Sequence, residues 1–202
     1  MRTRIAVIAI AVLGAATVAA AATARLATDD ARAPASPPVA TAHPSPRPAA
    51  LDDATIVAIF DAANTADMET GALAAERGAS REVRDFGAML VTAHRQVRQQ
   101  GRDLAARLGV TPTPPRDDTA ARDHAAAMAR LRALEGDAFD RAFLRHEIAF
   151  HQAVLDAAQG TLLPAIENAE LRAFVVKVAP AFEGHLIGAR SLERRLAGAD
   201  GR

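Results

Sequence analysis

The chain contains no cysteine. That excludes a disulfide framework, a thiolate metal site, a cysteine nucleophile and lipid attachment at a processed N-terminal cysteine, so any metal must be held by imidazole and carboxylate. Trp and Tyr are also absent and aromatic residues make up only 3% of the sequence, while 50% is hydrophobic. The apolar mass is therefore mostly Ala, Leu, Val and Ile, a composition that favours helix. There is no excess of charge of either sign, with 24 Lys and Arg against 24 Asp and Glu. The electrostatic footprint of a nucleic-acid binder or an anionic-membrane binder is missing, and nucleic acid is not expected as a partner.

The N-terminal segment carries Arg2 and Arg4, an uninterrupted apolar run from Ile5 to Val18, and Ala-rich sequence with a cleavage-type site at Ala22, Thr23 and Ala24. Residues 1–24 read as a secretory signal peptide. An uncleaved anchor is the alternative, and both readings place the remainder outside the cytoplasm, periplasmic or secreted. Residues 25–50 hold Pro34, Pro37, Pro38, Pro44, Pro46 and Pro48 among Ala, Ser and Thr, a composition that builds a tether and not a core. Residues 51–198 have the length of one domain.

Helical periodicity runs through that domain without strand-like alternation. Helix 1 is expected from Asp53 to Arg77, stopped by Gly78. Helix 2 follows from the N-cap Ser80 to Leu108, stopped by Gly109 and by Pro112, Pro114 and Pro115. A shorter helix is expected from Asp118 to Leu134. A third long helix, capped by Asp137, should run to Gln159 before Gly160, and a last one from Asn168 to Leu196 with a bend at Pro180. The fold class is all-α, an antiparallel four-helix bundle with an extra short helix.

On helical wheels, five ionisable residues fall inside apolar stripes, where burial is costly unless they are paired or ligated. Asp67 sits among Ile56, Phe60, Ala63, Gly71 and Ala74, with Glu69 on the opposite face. His94 sits among Val83, Phe86, Leu90, Val97 and Leu104. Glu147 and His151, one turn apart, occupy the middle of a stripe of Phe139, Phe143, Leu144, Phe150 and Leu155. His185 lies among Phe174, Val178, Phe182 and Leu192. Singly each would destabilise the core; together they can surround one divalent transition metal, Fe, Mn, Zn or Cu. Such binding should weaken as pH falls through the histidine range near ~6.5, because the ligand must be the neutral ring.

The alternative is a metal-free envelope stress or interaction module, with the same residues in a closed hydrogen-bond network. His124 has no acid on its own stripe and reads as structural, His146 reads as exposed, and Arg95, Arg98, Arg102 and Arg107 read as a solvated face. No nucleophile elbow, phosphate loop or triad is present, so the sequence assigns no catalytic residue. It also leaves oligomeric state and envelope partner open.

The segments from Ala62 to Ala74, Glu82 to His94, Phe139 to Phe143 and His146 to Gln152 resemble the bacterial exported proteins grouped as domain-of-unknown-function family 4142. The resemblance spans about Ala54 to Leu196 and implies a ferritin-like bundle, in proteins often labelled outer-membrane or exported. It matches His151 and His185 to positions where the family has His. Asp67 stands where the family has Glu, and Ala93 precedes His94 where the family has Asp. The first change keeps a carboxylate on a shorter arm, and the second removes an acid that could orient the imidazole.

Overall fold

The structure, a computed structural model, describes residues 51–116 and 119–199. The expected signal peptide, the Pro-rich tether and the expected helix start at Asp118 lie outside the described residues.

Helix α1 is Asp53–Arg77, with the Asp52 side chain accepting from the Thr55 N–H, and α2 is Arg81–Leu108, with Ser80 accepting from the Val83 N–H. These side chains satisfy amide donors left over in a first helical turn. Gly109 closes α2 with φ of 67°, a left-handed conformation that costs glycine nothing. Both helices have the limits that their capping residues predict.

Helix α3 is Thr119–Arg132 and α4 is Gly136–Ala157. The expected cap at Asp137 is corrected: the chain turns into α4 at Gly136, whose φ is 58°, so Asp137 falls within the first turn. Gly160 does not stop the helix either. It is absorbed in a π-helical turn, Ala158–Leu162, followed by the single turn α5, Leu163–Ala165. The buried side chains of Leu162 and Ile166 beyond the glycine hold this extension against the core. Helix α6 is Ala169–Ala199 and passes through Pro180, and its first amides, on Glu170 and Leu171, donate to the Asn168 side chain.

The long helices α1, α2, α4 and α6 form the bundle, with α1 against α2 and α4, and α6 against α4 and α2. One apolar cluster joins Leu73, Val83, Leu90, Phe139, Phe143 and Leu192. Another joins Ile56, Val57, Leu104, Ile166, Leu171 and Val175. The C-terminal end of α1 thus meets the N-terminal ends of α2 and α4 and the C-terminal end of α6, so every neighbouring pair is antiparallel. The diagonal pair α2 and α4 then run the same way, and the link between them must travel the length of the bundle, as in ferritin-like topologies with one long crossover. Helix α3 lies in that link and packs on α4. No strand occurs among the described residues, and no described helix is long and apolar enough to cross a membrane.

Helices α1 and α2 touch backbone to backbone. A Cβ on Gly71 would lie 2.9 Å from the Gly87 carbonyl oxygen, and one on Gly87 would lie 2.5 Å from the Gly71 carbonyl oxygen. Only glycine allows this approach. It fixes the register that brings Asp67, one turn before Gly71, opposite His94, two turns after Gly87. Both ends of the pair are clamped by carboxylates: Asp140 accepts from the Ala79 and Ser80 amides at 2.8 Å each, and Asp53 accepts from the Glu167 and Asn168 amides at 2.9 and 2.8 Å.

Candidate metal centre

Each long helix sends at least one of the five stripe residues to the same place between the two apolar clusters. Asp67 and His94 are 1% exposed, Glu147 and His151 are 0% exposed, and His185 is 8% exposed. Asp67 Oδ2 lies 2.6 Å from His94 Nε2 and 3.9 Å from His151 Nε2. His185 Nδ1 lies 3.0 Å from His94 Nε2 and 3.3 Å from His151 Nε2. Glu147 Oε2 is 3.5 Å from His151 Nδ1 on its own helix.

The surrounding atoms decide which nitrogens carry lone pairs. Asn64, fully buried on α1, donates its Nδ2 to the Phe60 carbonyl at 2.8 Å, which fixes its Oδ1 as the acceptor facing His94 Nδ1 at 3.0 Å. The proton of a neutral His94 therefore sits on Nδ1, and Nε2 presents a lone pair inward. In His151 the Nδ1–H donates to the Glu147 carbonyl at 3.0 Å, so its Nε2 does the same. This is the outer-shell arrangement that sets tautomer and ring direction in metal-ligating histidines.

Asp67 Oδ1 and Oδ2 and Glu147 Oε1 and Oε2 are buried and receive no hydrogen bond. At 2.6 Å the approach of Asp67 to His94 sets lone pair against lone pair unless the ring takes a second proton and makes a charge-assisted hydrogen bond, or the two atoms part to the ~3.3 Å at which a tetrahedral ion could hold both. Four oxygens and two inward nitrogens face one another, and only His185 and a protonated Glu147 can offer a proton among them. Leaving buried acceptors without donors costs about 1–3 kcal/mol each. A tetrahedral ion with bonds of ~2.0–2.1 Å holds its donors ~3.3 Å apart, close to the 3.0 and 3.3 Å that separate His185 Nδ1 from the His94 and His151 nitrogens. The donor set fits a transition-metal ion: the three histidine nitrogens lie within 4.8 Å of one another, as do ligand atoms of Asp67, Glu147 and His151.

The electrostatics divide the two acids. Burial pushes the Asp67 carboxyl up, but His94 and His151 beside it outweigh burial and hold it below the ordinary range. Glu147 is pushed well up, first by burial and then by the Asp67 charge. Burial lowers His151, and burial together with the other two rings pushes His185 down to about 4. The centre therefore holds one carboxylate, one carboxylic acid and two rings, His151 and His185, that resist a positive charge.

Comparison with known proteins gives the lineage. The sequence pattern of the family described as domain of unknown function (DUF4142) matches residues 38–192. The chain belongs to the DUF4142 family. Among solved structures it is similar to a DUF305 fragment from Deinococcus radiodurans, with a TM-score of 0.62 and 21% identity over 70% of this chain and 95% of that one. At that identity the likeness concerns the fold. No curated protein matches.

Within this DUF4142 domain, Asn64 orients the His94 ring, its Oδ1 lying 3.0 Å from Nδ1, with no acid at Ala93 beside it. Asn64 escaped the sequence reading, although it lies three residues before Asp67 on the same helical face inside the quoted motif. Thr70 was also missed; it is buried and its hydroxyl donates to the Asp67 carbonyl at 3.1 Å.

A second grouping lies outside the bundle core, in a cleft of about 390 Å³ between α1, α3 and α4. His124 meets Glu69 of α1 at 2.8 Å, so an acid from a neighbouring helix does join it. His146, expected to be exposed, is half-buried against Phe150, with ring centroids 6.0 Å apart, and burial pushes it down to about 4. The arginines expected on a solvated face are not all unpartnered: Arg98 and Arg102 both fork onto Asp61, at 2.6 to 3.2 Å. Helix packing supplies both results, because it seats α1 against partners that a single wheel does not show.

Proposed function

We propose that this protein is an exported, periplasmic or secreted, four-helix protein that binds a divalent transition metal through His94 Nε2, His151 Nε2, His185 Nδ1 and the Asp67 carboxylate, with Glu147 as a further carboxylate. The single observation that carries the reading is the set of four buried carboxylate oxygens without hydrogen bonds, facing two imidazole lone pairs. Three nitrogen and one or two oxygen donors suit Fe, Zn or Cu ahead of Mn. Export is supported by the basic start and apolar run ahead of the tether.

A bound ion would supply Lewis-acid or redox chemistry in a site shielded from bulk water. The residues of the chain do the rest: Asn64 and the Glu147 carbonyl hold two rings with their lone pairs inward, Phe182 packs at 5.1 Å from the His94 ring, and Glu147 holds a proton that a cation would displace.

The test is elemental analysis of tag-free protein purified from the periplasm. The expected result is one metal ion per chain, lost in His94→Ala. Protein that is metal-free, and remains so after incubation with Fe, Mn, Zn and Cu salts, supports the closed-network alternative instead.

A further inference from the structure

Beside the metal centre lies a cavity of about 70 Å³ between α1, α4 and α6, walled mainly by Phe60, Leu155, Leu162, Val175, Val178 and Phe182. A water needs roughly 10–15 Å³ of such space and two to four polar partners. The space is there and the partners are not. Asn64 is the sole polar residue in the lining, and its two side-chain groups are already engaged, with the Phe60 carbonyl and with His94. The helix carbonyls are used within their helices, apart from the π turn Ala158–Leu162, whose own i to i+5 pattern fills part of this wall. The pocket is partly open at a rim of half-buried residues, and its apolar lining favours apolar atoms or molecules such as xenon over water.

Its position ties it to the centre. Phe182 stands in the wall and also meets the rings of His94 and His151, with centroids 5.1 and 6.0 Å away. Asn64 stands in the wall and holds His94. On the other side of α1 the 390 Å³ cleft is lined by Asp61, Glu69, Arg98, Asp123, His124 and His146, and offers polar ligands a wetter place.

We infer that this cavity binds a small uncharged diatomic gas, of the class of dioxygen or nitric oxide, and delivers it to the metal centre. Uncharged diatomics partition into dry apolar space, whereas ions and water are rejected by it. The inference deepens the metal-binding reading and rests on it for the destination, while the cavity itself can be probed without any metal.

The experiment has two arms. Crystals of metal-free protein pressurised with xenon should show xenon between Leu155, Val178 and Phe182, and the site should be lost in Ala179→Leu, which fills the chamber from its half-buried rim. Ala158→Leu, from the π turn, repeats the test should Ala179→Leu fail to fold. In the second arm, protein loaded with Fe(II) is mixed with nitric oxide and followed by its iron-nitrosyl signal. Binding should be slower in the filled variant with iron content unchanged. Ordered water in the cavity, absence of xenon, or equal nitric oxide rates in parent and filled variant would overturn the inference. So would a centre that takes zinc alone, since that ion has no redox chemistry with such gases. Parent protein that binds no metal at all is a failure of the metal reading, and elemental analysis registers it separately from the xenon result.

Discussion

Two histidine and carboxylate pairs flank α1, and the water around them sets them apart. His94 and Asp67 are 2.6 Å apart and sealed in the core, while His124 and Glu69 are 2.8 Å apart with the Glu69 side chain 54% exposed. The outer pair can share a proton and turn its remaining atoms to solvent, so it needs no third party. The inner pair cannot, and Glu147, His151 and His185 press three more polar groups on it with too few donors among them. Similar contact distances thus carry different chemistry: ligation follows from burial without compensation, not from a short separation.

Ligand deletion breaks this contrast most sharply. His94→Ala should abolish stoichiometric metal binding, and His124→Ala should leave it intact, as read by elemental analysis and titration calorimetry of the two variants. Equal loss in both would erase the distinction between the pairs.

Next in size is the support of the inner ring. Asn64→Ala frees His94 Nδ1 and should weaken metal affinity by about 10–100-fold. Unaltered affinity would mean that packing against Phe182 alone orients the ring.

Acid should separate the sites as well. In the folded domain His185 lies at about 4 and His151 is also lowered, both from an ordinary value of 6.5. His146 in the cleft is likewise pushed down to about 4. Groups lowered by folding are neutral in the native state and gain protons first in the unfolded chain. Their stabilisation is therefore fully present above ~6.5 and is lost as pH falls toward about 4. Glu147 has the opposite sign, because its raised value costs stability as pH climbs above its ordinary 4.5. Three rings against one carboxyl give a net loss of stability in metal-free protein between pH ~6.5 and ~4.5, measurable by urea denaturation. His146→Gln should shrink that slope without touching metal affinity, and a flat profile would contradict neutral buried rings. Metal affinity should also persist below ~6.5, the point that free imidazole suggests, since His151 and His185 stay neutral further into acid.

The smallest effect belongs to the outer pair, where Glu69→Gln should change thermal stability by no more than about 1 kcal/mol.

Much of this was legible in the sequence, for reasons that are local. The limits of α1 and α2 follow from Ser80, Gly78 and Gly109, and the five inward residues follow from a period of 3.6 within clear apolar stripes. Gly160 misled because burial of Leu162 and Ile166 beyond it outweighs the propensity of one glycine, and a π turn takes up the mismatch. The partners of His124 and of Asp61 were illegible because they depend on how one helix is rotated against another. Asn64 could have been found: a polar residue on the Asp67 face, i minus 3, invites the question of what it holds. The sequence could show that five polar groups point inward, but not that their donors and acceptors fail to match.

Thermal melting of the parent and of His151→Ala, each with and without Zn, Mn, Fe and Cu salts, tests that mismatch most directly. A ligand bound only by the folded state raises stability by mass action, by about 2.7 kcal/mol at a hundred times its dissociation constant. The parent should melt at a higher temperature with at least one of these metals, and His151→Ala should not respond. Equal shifts in the two proteins, or none in either, would contradict a metal centre built from these residues.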